Sequence, residues 1–173
     1  MVTIRLRNPA FKWVLRRIHL DSEGKIDRPL GNLTSHNNAA PLAVPLASGM
    51  GITPLRSIVM DSAKEKQPHR IFLFRSNNRP EDAVFRDELP GAEQQNLNYK
   101  FFATMTELEK PHRLRKAEAG LIVSQMLDPH LNAVASSERY STGPIYDIAG
   151  RPQRSAIFRR CSSMLAWMAM TSA

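Results

Sequence analysis

The segment that most constrains the fold is residues 41–54: the apolar run Pro-Leu-Ala-Val-Pro-Leu-Ala, the small-residue turn Ser48-Gly49-Met50-Gly51, then Ile52-Thr53-Pro54. An apolar run that stops at glycines and reopens on a helix start reads as strand, tight turn, helix. Thr53 has the chemistry of an N-cap, and Pro54 suits the first helical position, where its missing N–H is no loss. Leu55, Ile58 and Val59 continue on one face, and the helix is expected to end over 66–68. Residues 70–74 are nearly continuous in apolar side chains, as a buried parallel strand requires. Residues 75–79 read as its polar exit loop. Pro80, with Glu81 and Asp82 behind it, opens a second predicted helix that Pro90-Gly91 closes. A strand over 98–103, an amphipathic helix over 121–131 and a strand over 145–149 stopped at Gly150 complete the pattern. Strands alternating with helices at this spacing call for an α/β fold, a doubly wound parallel sheet with right-handed crossovers.

The chain has 173 residues, enough for one domain and short for two, and 42% of them are hydrophobic, enough to fill one core. No apolar run approaches the roughly 18 residues of a membrane span, so no membrane-spanning segment is expected. The single cysteine, Cys161, closes no intramolecular disulfide and builds no multi-thiolate metal site, which points to a reducing compartment, the cytoplasm. The net charge is +8, which would ordinarily raise nucleic acid or an anionic surface as a partner. Its distribution weakens that reading. Residues 1–20 and 151–173 hold nine Lys and Arg and no acid, whereas 21–150 holds 15 against 16 Asp and Glu. The body is about neutral and the charge belongs to the two ends.

In a doubly wound sheet, ligands bind beyond the carboxyl ends of the strands where strand order reverses. Gly49 and Gly51 allow a close backbone approach there, and the helix N-terminus behind them suits the pyrophosphate of a dinucleotide. The spacing is G-x-G-x-x-P rather than G-x-G-x-x-G, so the same turn serves equally as a purely steric connection. Arg75, Ser76 and Arg79 follow the second strand, where the adenosine end would lie, and Arg with Ser suits a 2′-phosphate; a solvated polar loop is the alternative. No catalytic constellation stands out. His19, His36, His69, His112 and His130 lack metal-ligand spacing, and no metal site is expected. Any chemistry must come from bound cofactors.

Gly31-Asn32-Leu33-Thr34, the run from Leu46 through Pro54, Phe74-Arg75-Ser76-Asn77-Asn78-Arg79-Pro80-Glu81-Asp82, Phe85-Arg86-Asp87-Glu88-Leu89 and Pro144-Ile145-Tyr146-Asp147-Ile148-Ala149-Gly150 resemble, in order and spacing, the ferredoxin-NADP reductase-like flavin oxidoreductases. The resemblance covers about residues 26–150. It implies a nicotinamide-binding α/β domain preceded by an antiparallel flavin-binding barrel, with hydride passing from NAD(P)H to the N5 atom of FAD. On that resemblance Gly49, Gly51, Ile52, Thr53 and Pro54 line the pyrophosphate and nicotinamide path. Arg75, Ser76 and Arg79 lie near the adenosine, and Thr106 and Gly150 border the nicotinamide. Gly31, Asn32 and Thr34 belong to the barrel's final turn on the flavin side. The electron acceptor, protein or small molecule, is not identified.

The expected organisation is therefore a barrel remnant over 1–40, a nucleotide domain over 41–150 and an aberrant tail over 151–173, a truncated oxidoreductase fragment that could be inactive alone. Three departures from the family pattern stand out: Ser48 for the usual first glycine, Arg28 for the glycine before Pro29, and Pro45 inside the central strand, where it removes a ladder bond. The barrel's Arg-x-Tyr-Ser motif does not occur ahead of residue 26. In the tail, single-codon Trp and Met make a shifted frame across Trp167-Met168-Ala169-Met170-Thr171 spell Asp-Gly-x-Asp, and the same shift near 149–152 permits Gly-Pro-Pro. Both suit the family, so a frameshift after about Gly150 is expected, and the coding DNA decides it. The competing readings are a basic module for nucleic acid or membrane and a non-functional fragment.

Overall fold

The computed structural model describes residues 42–106, 117–119, 122, 124–135 and 144–150, together with 14, 16–19, 21–23 and 25. The chain divides into two units, Met1–Leu33 and Thr34–Ala173. In the first, the N–H groups of Arg17 and Ile18 both donate to the Val14 carbonyl at 2.9 and 3.0 Å, a single helical turn. The rest of the expected barrel remnant over 1–40 and the whole tail of 151–173 lie outside the described residues.

The second unit carries five strands: β1 Ala43–Ser48, β2 Ile71–Asn77, β3 Tyr99–Met105, β4 Ala117–Ala119 and β5 Ile145–Ala149. Their order in the sheet is β4-β3-β2-β1-β5 and every pairing is parallel. The helices are α1 Ile52–Lys64, α2 Glu88–Gln95 and α3 Ser124–Ala135. Alternation along the strands separates two cores, as the period of two demands. Ala47, Ile71, Leu73, Tyr99 and Phe101 face Leu55 and Val59 of α1 and Leu89 and Ala92 of α2. Val44, Leu46, Phe72 and Phe74 face the other way, onto Ile122 and Leu127. On that side Phe102 stacks on Phe74 at 4.6 Å between centroids, and His130 of α3 covers Phe102 at 4.0 Å. Helices on both faces of a parallel sheet make the doubly wound α/β fold.

Several boundaries differ from expectation. Thr53 is not the N-cap of α1: a 3₁₀ turn over Gly49–Gly51 comes first, Gly51 is the cap, and the helix opens at Ile52. The Thr53 hydroxyl donates back to the Met50 carbonyl at 3.1 Å and so ties the turn to the helix. Pro54 becomes the third helical residue, where the N–H it lacks would still have no intrahelical partner. The helix expected from Pro80 is a 3₁₀ turn over Pro80–Asp82 only. The true helix opens at Glu88, so Pro90-Gly91 lies inside it rather than closing it, again with proline in the third position. Pro45 has the expected effect. β1 pairs with β5 continuously from Ala43 to Ala47, but its register with β2 skips from Ala43 to Leu46, across the residue with no N–H to donate.

The largest revision concerns β2, which runs on through Arg75, Ser76 and Asn77 instead of ending at Phe74. Arg75 is therefore a strand residue, not part of an exit loop, and is only 1% exposed. Its row of the sheet explains how so long a side chain fits: the register places Ala47 and Ala103 on either side of it and Ala149 beyond Ala47. The guanidinium donates through Nη1 to the Val84 carbonyl, while Nε and Nη2 are buried without a hydrogen-bond partner. Burial lowers its pKa to about 10, with Tyr99 acting weakly the other way.

Tyr99 is the second ionisable group of this core, and its hydroxyl is likewise buried without a partner. Burial, then the nearby Glu93, pushes its pKa well above the ordinary value of 10.0. The unfolded chain therefore ionises Tyr99 near pH 10 while the folded chain keeps the proton, and stability is lost as pH rises above that value. Arg75 works in the opposite sense above about pH 10, where the folded chain has released a proton that the unfolded chain still holds. Tyr99→Phe removes the first effect and leaves the second. Urea unfolding is expected to give near-equal stabilities for the two proteins at about pH 7, and a difference growing in favour of the variant by up to about 1.4 kcal/mol per pH unit above pH 10.

Candidate functional site

The chain proceeds from β1 outward through β2, β3 and β4, then crosses to the other side of β1 for β5. The reversal of strand order thus lies between β1 and β5, and the glycine turn stands at their carboxyl ends. Gly49 has φ of +55°, the left-handed region that L side chains adopt only at a cost, and a Cβ built on it would meet nothing within 4 Å. The turn is open on that side. Gly51 is the opposite case. Its Cβ would fall onto the Ala149 carbonyl and 2.7 Å from the Gly150 nitrogen, so only glycine lets the turn lie against the end of β5. Gly150 meets the turn in return, for its own Cβ would come 2.6 Å from the Ser48 hydroxyl oxygen. The serine that departs from the family's usual glycine is accommodated by the glycine across from it.

The helix behind the turn has no side-chain cap, and no acidic residue occupies its first turn. With thirteen residues in α1, its amino end offers a partial positive charge to the open side of the turn. Ile52 is fully buried in the core under α1, so it anchors the turn, whereas Pro54 is exposed two residues on. Gly49, Gly51, Ile52, Thr53, Pro54 and Gly150 thus come together at the switch point.

The remaining expected residues are spread along the same edge of the sheet. Ser76 is buried and in register with Ser48, and Thr104 is in register with Ser76, a row of hydroxyl residues across three adjacent strands. Arg79 is exposed just beyond β2. Thr106 is held at the end of β3, its N–H donating to the Asn77 carbonyl at 3.0 Å and its hydroxyl 3.4 Å from Asn78 Oδ1. It is brought to the end of β2, not to the glycine turn, because β2 intervenes between β3 and β1. Gly31, Asn32 and Thr34 lie outside the described residues.

Other polar features of this region were not legible in the sequence. Asn77, the last residue of β2, is 2% exposed with both ends of its amide unpartnered. Arg56, from the second turn of α1, forms a bidentate pair with Glu88, Nε to Oε2 at 2.8 Å and Nη2 to Oε1, and lies 4.7 Å above the Phe85 ring. Its pKa is raised by that hydrogen bond to Glu88. A charged face at i, i+4 spacing would have hinted at a helix pair, but these residues are 32 apart. Among the described residues no three His, Cys, Asp or Glu side chains gather to hold a metal ion, and no helix is long and apolar enough to cross a membrane.

Known structures share this architecture. A ferredoxin NADP+ reductase from Neisseria gonorrhoeae, solved with bound FAD and NADP, aligns over 90% of this chain and 62% of its own with a TM-score of 0.63 at 15% identity. The CS-b5R domains of human Ncb5or, in the NAD+ form, align over 92% of this chain and 44% of theirs with a TM-score of 0.68 at 16% identity. The Amycolatopsis cytochrome P450 reductase GcoB aligns over 82% and 43% with a TM-score of 0.55 at 14% identity. At these identities the likeness is one of fold, and the chain spans less than two thirds of each of these proteins. No curated protein matches the sequence. The family model for the oxidoreductase NAD-binding domain matches residues 46–152, from the middle of β1 to just past β5, which is more than half of the chain. The chain belongs to the oxidoreductase NAD-binding domain family.

Proposed function

We propose that this chain binds NAD(P)H at the carboxyl ends of β1 and β5, as the nucleotide-binding part of a ferredoxin reductase-like flavin oxidoreductase. The observation that carries the reading is the glycine turn: Gly49 open on one side at positive φ, Gly51 and Gly150 closed against each other's strand ends on the other. A pyrophosphate resting on Gly49 meets backbone rather than side chains and sits before the amino end of α1. Ile52 and Thr53 hold that turn in place, and Pro54 lines its exposed flank. Gly150 leaves the end of β5 flat, so that a nicotinamide ring can approach it. Thr106, expected beside the nicotinamide, is held at the end of β3 with β2 and β1 between it and Gly150, and has no contact with the ring in this reading.

Bound reduced nicotinamide supplies a hydride, and the residues of this chain bind and orient it. The acceptor in this reading is FAD, which the Neisseria reductase of the same fold holds together with NADP. Gly31, Asn32 and Thr34 are assigned to the flavin side on the family resemblance. Residues 1–40 would be the closing part of the flavin barrel, and the rest of that site would come from elsewhere. Membrane or nucleic acid has no part in this reading, and the final electron acceptor is a protein or small molecule of unspecified kind.

At the adenosine end, Arg79 is an exposed cation just beyond β2, whereas Ser76 is buried in the strand and Arg75 acts from below by holding the loop at Val84. The 2′-phosphate of NADPH would meet Arg79. Calorimetric titration of the purified chain with NADPH and NADH, with an absorbance scan for bound flavin, tests the assignment. Arg79→Ala is expected to weaken NADPH by about 5- to 20-fold and NADH by less than about twofold, the worth of a charge-assisted contact at an exposed site. Equal loss for both nucleotides would remove Arg79 from the 2′-phosphate.

A further inference from the structure

Phe85 is one of three described non-glycine residues with positive φ, at +59°, and the only aromatic one. A bulky side chain in the left-handed region is strained by roughly 1–3 kcal/mol and persists where its surroundings over-determine it. Here they do so from two sides. From below, buried Arg75 donates to the carbonyl of Val84, the residue just before Phe85. From α1, Arg56 lies over the Phe85 ring and forms its bidentate pair with Glu88, the first residue of α2. The segment 78–87, which begins with Asn78 and Arg79 and ends at the Asp87 cap of α2, is thereby fixed by two arginines, one from β2 and one from α1. The Arg56–Glu88 pair is half-exposed, so holding the whole fold together would be a weak role for it. Its position suggests another. It connects the helix that starts at the glycine turn to the loop that carries the cation of the adenosine end.

We infer that Arg56, through Glu88 and the strained Phe85, is a positioning residue for the loop 78–87 and so sets the preference of the site for a 2′-phosphorylated nucleotide over its unphosphorylated counterpart. The inference rests on the assignment of Arg79 above. A nucleotide without the 2′-phosphate makes no use of Arg79 and is indifferent to the clamp, whereas one with it needs Arg79 presented at a fixed place. Lysine cannot replace Arg56, since it lacks the planar fork that meets both carboxylate oxygens and the flat face that lies on the ring.

The test compares the wild-type chain with Arg56→Met, Arg56→Lys, Glu88→Gln and the exchanged pair Arg56→Glu/Glu88→Arg, reading NADPH and NADH affinities and hydrogen exchange of the 78–87 amides. The single variants are expected to lower the NADPH-to-NADH affinity ratio by about 3- to 10-fold with NADH changed by less than about twofold, and to speed exchange across the loop. The exchanged pair is expected to recover part of both. Faster exchange with an unchanged ratio would make the clamp merely structural and overturn the inference while leaving the nucleotide site intact. Arg79→Ala with an unchanged ratio would overturn the assignment of Arg79 and this inference with it. Wild-type chain that binds neither nucleotide would overturn the site itself.

Discussion

Gly51→Ala is expected to destabilise the domain by roughly 2–4 kcal/mol and to abolish nucleotide binding, whereas Gly49→Asn should leave stability within about 1 kcal/mol of wild type and still remove at least about 90% of the affinity. The two glycines stand two residues apart in one turn, and their contrasting environments separate the outcomes. A Cβ at Gly51 collides with the main chain at the Ala149–Gly150 junction, which cannot retreat without pulling β5 away from β1. The clash is with backbone, so no rotamer relieves it. At Gly49 the obstacle is conformational only: φ of +55° is one that asparagine tolerates better than any other side chain, and the space around the Cβ is open. The Asn side chain would then stand in that space, where the pyrophosphate is proposed to lie. Thermal unfolding of both variants, paired with nucleotide titration, reads the distinction. If Gly49→Asn binds as wild type does, the open side of the turn is not the pyrophosphate site.

Arg75→Met is expected to raise stability by about 1–2 kcal/mol, or about 3–6 °C in unfolding midpoint, while lowering the preference for NADPH. Arg75 is a cation 1% exposed, with one hydrogen bond to a backbone carbonyl and no carboxylate facing it among the described residues. Burying it costs desolvation that a single neutral acceptor does not offset, which is why its pKa falls to about 10. Methionine keeps the length that fills the space between Ala47 and Ala103 and dispenses with the charge. Alanine would not serve, because the row already consists of alanines and the cavity left would cost more than the charge. The gain comes with a loss of function. Without the bond to Val84 O, the loop behind Arg79 loses its lower support, so stability and nucleotide preference should move in opposite directions. A variant less stable than wild type would mean that the Arg75–Val84 bond contributes more than the burial costs.

The parts of the fold that the sequence made legible are those that depend on local pattern. Strand, glycine turn and helix over 43–64, and β5 over Ile145–Ala149, follow from apolar runs bounded by glycine, and their parallel pairing follows from strand–helix alternation. The shift of the helix start from Pro54 to Ile52 reflects a 3₁₀ turn, which glycines permit but do not announce. Pro90-Gly91 was misleading because the pair is a stop signal after a helix and a tolerated element in its first turn, and only the position of Asp87 as cap distinguishes the two. Arg75 was misplaced for a related reason. A charged residue after an apolar run reads as the end of a strand, and the alanines that make room for it are 28 positions apart or more along the chain, brought beside it only by the sheet register. The same holds for the site. The turn was visible in its spacing, whereas the contact of Gly51 with β5, the fit of Ser48 to Gly150 and the Arg56–Glu88 clamp are all long-range.

The account rests on a dinucleotide lying across the glycine turn between β1 and β5, and one measurement addresses that most directly: calorimetric titration of the whole chain and of Gly49→Asn with NADPH and NADH. The expected result is saturable binding of at least one nucleotide to the wild-type chain, and a loss of at least about tenfold in the variant while its unfolding midpoint stays close to wild type. Binding of neither nucleotide by a folded wild-type chain, or equal binding by the two proteins, would contradict it.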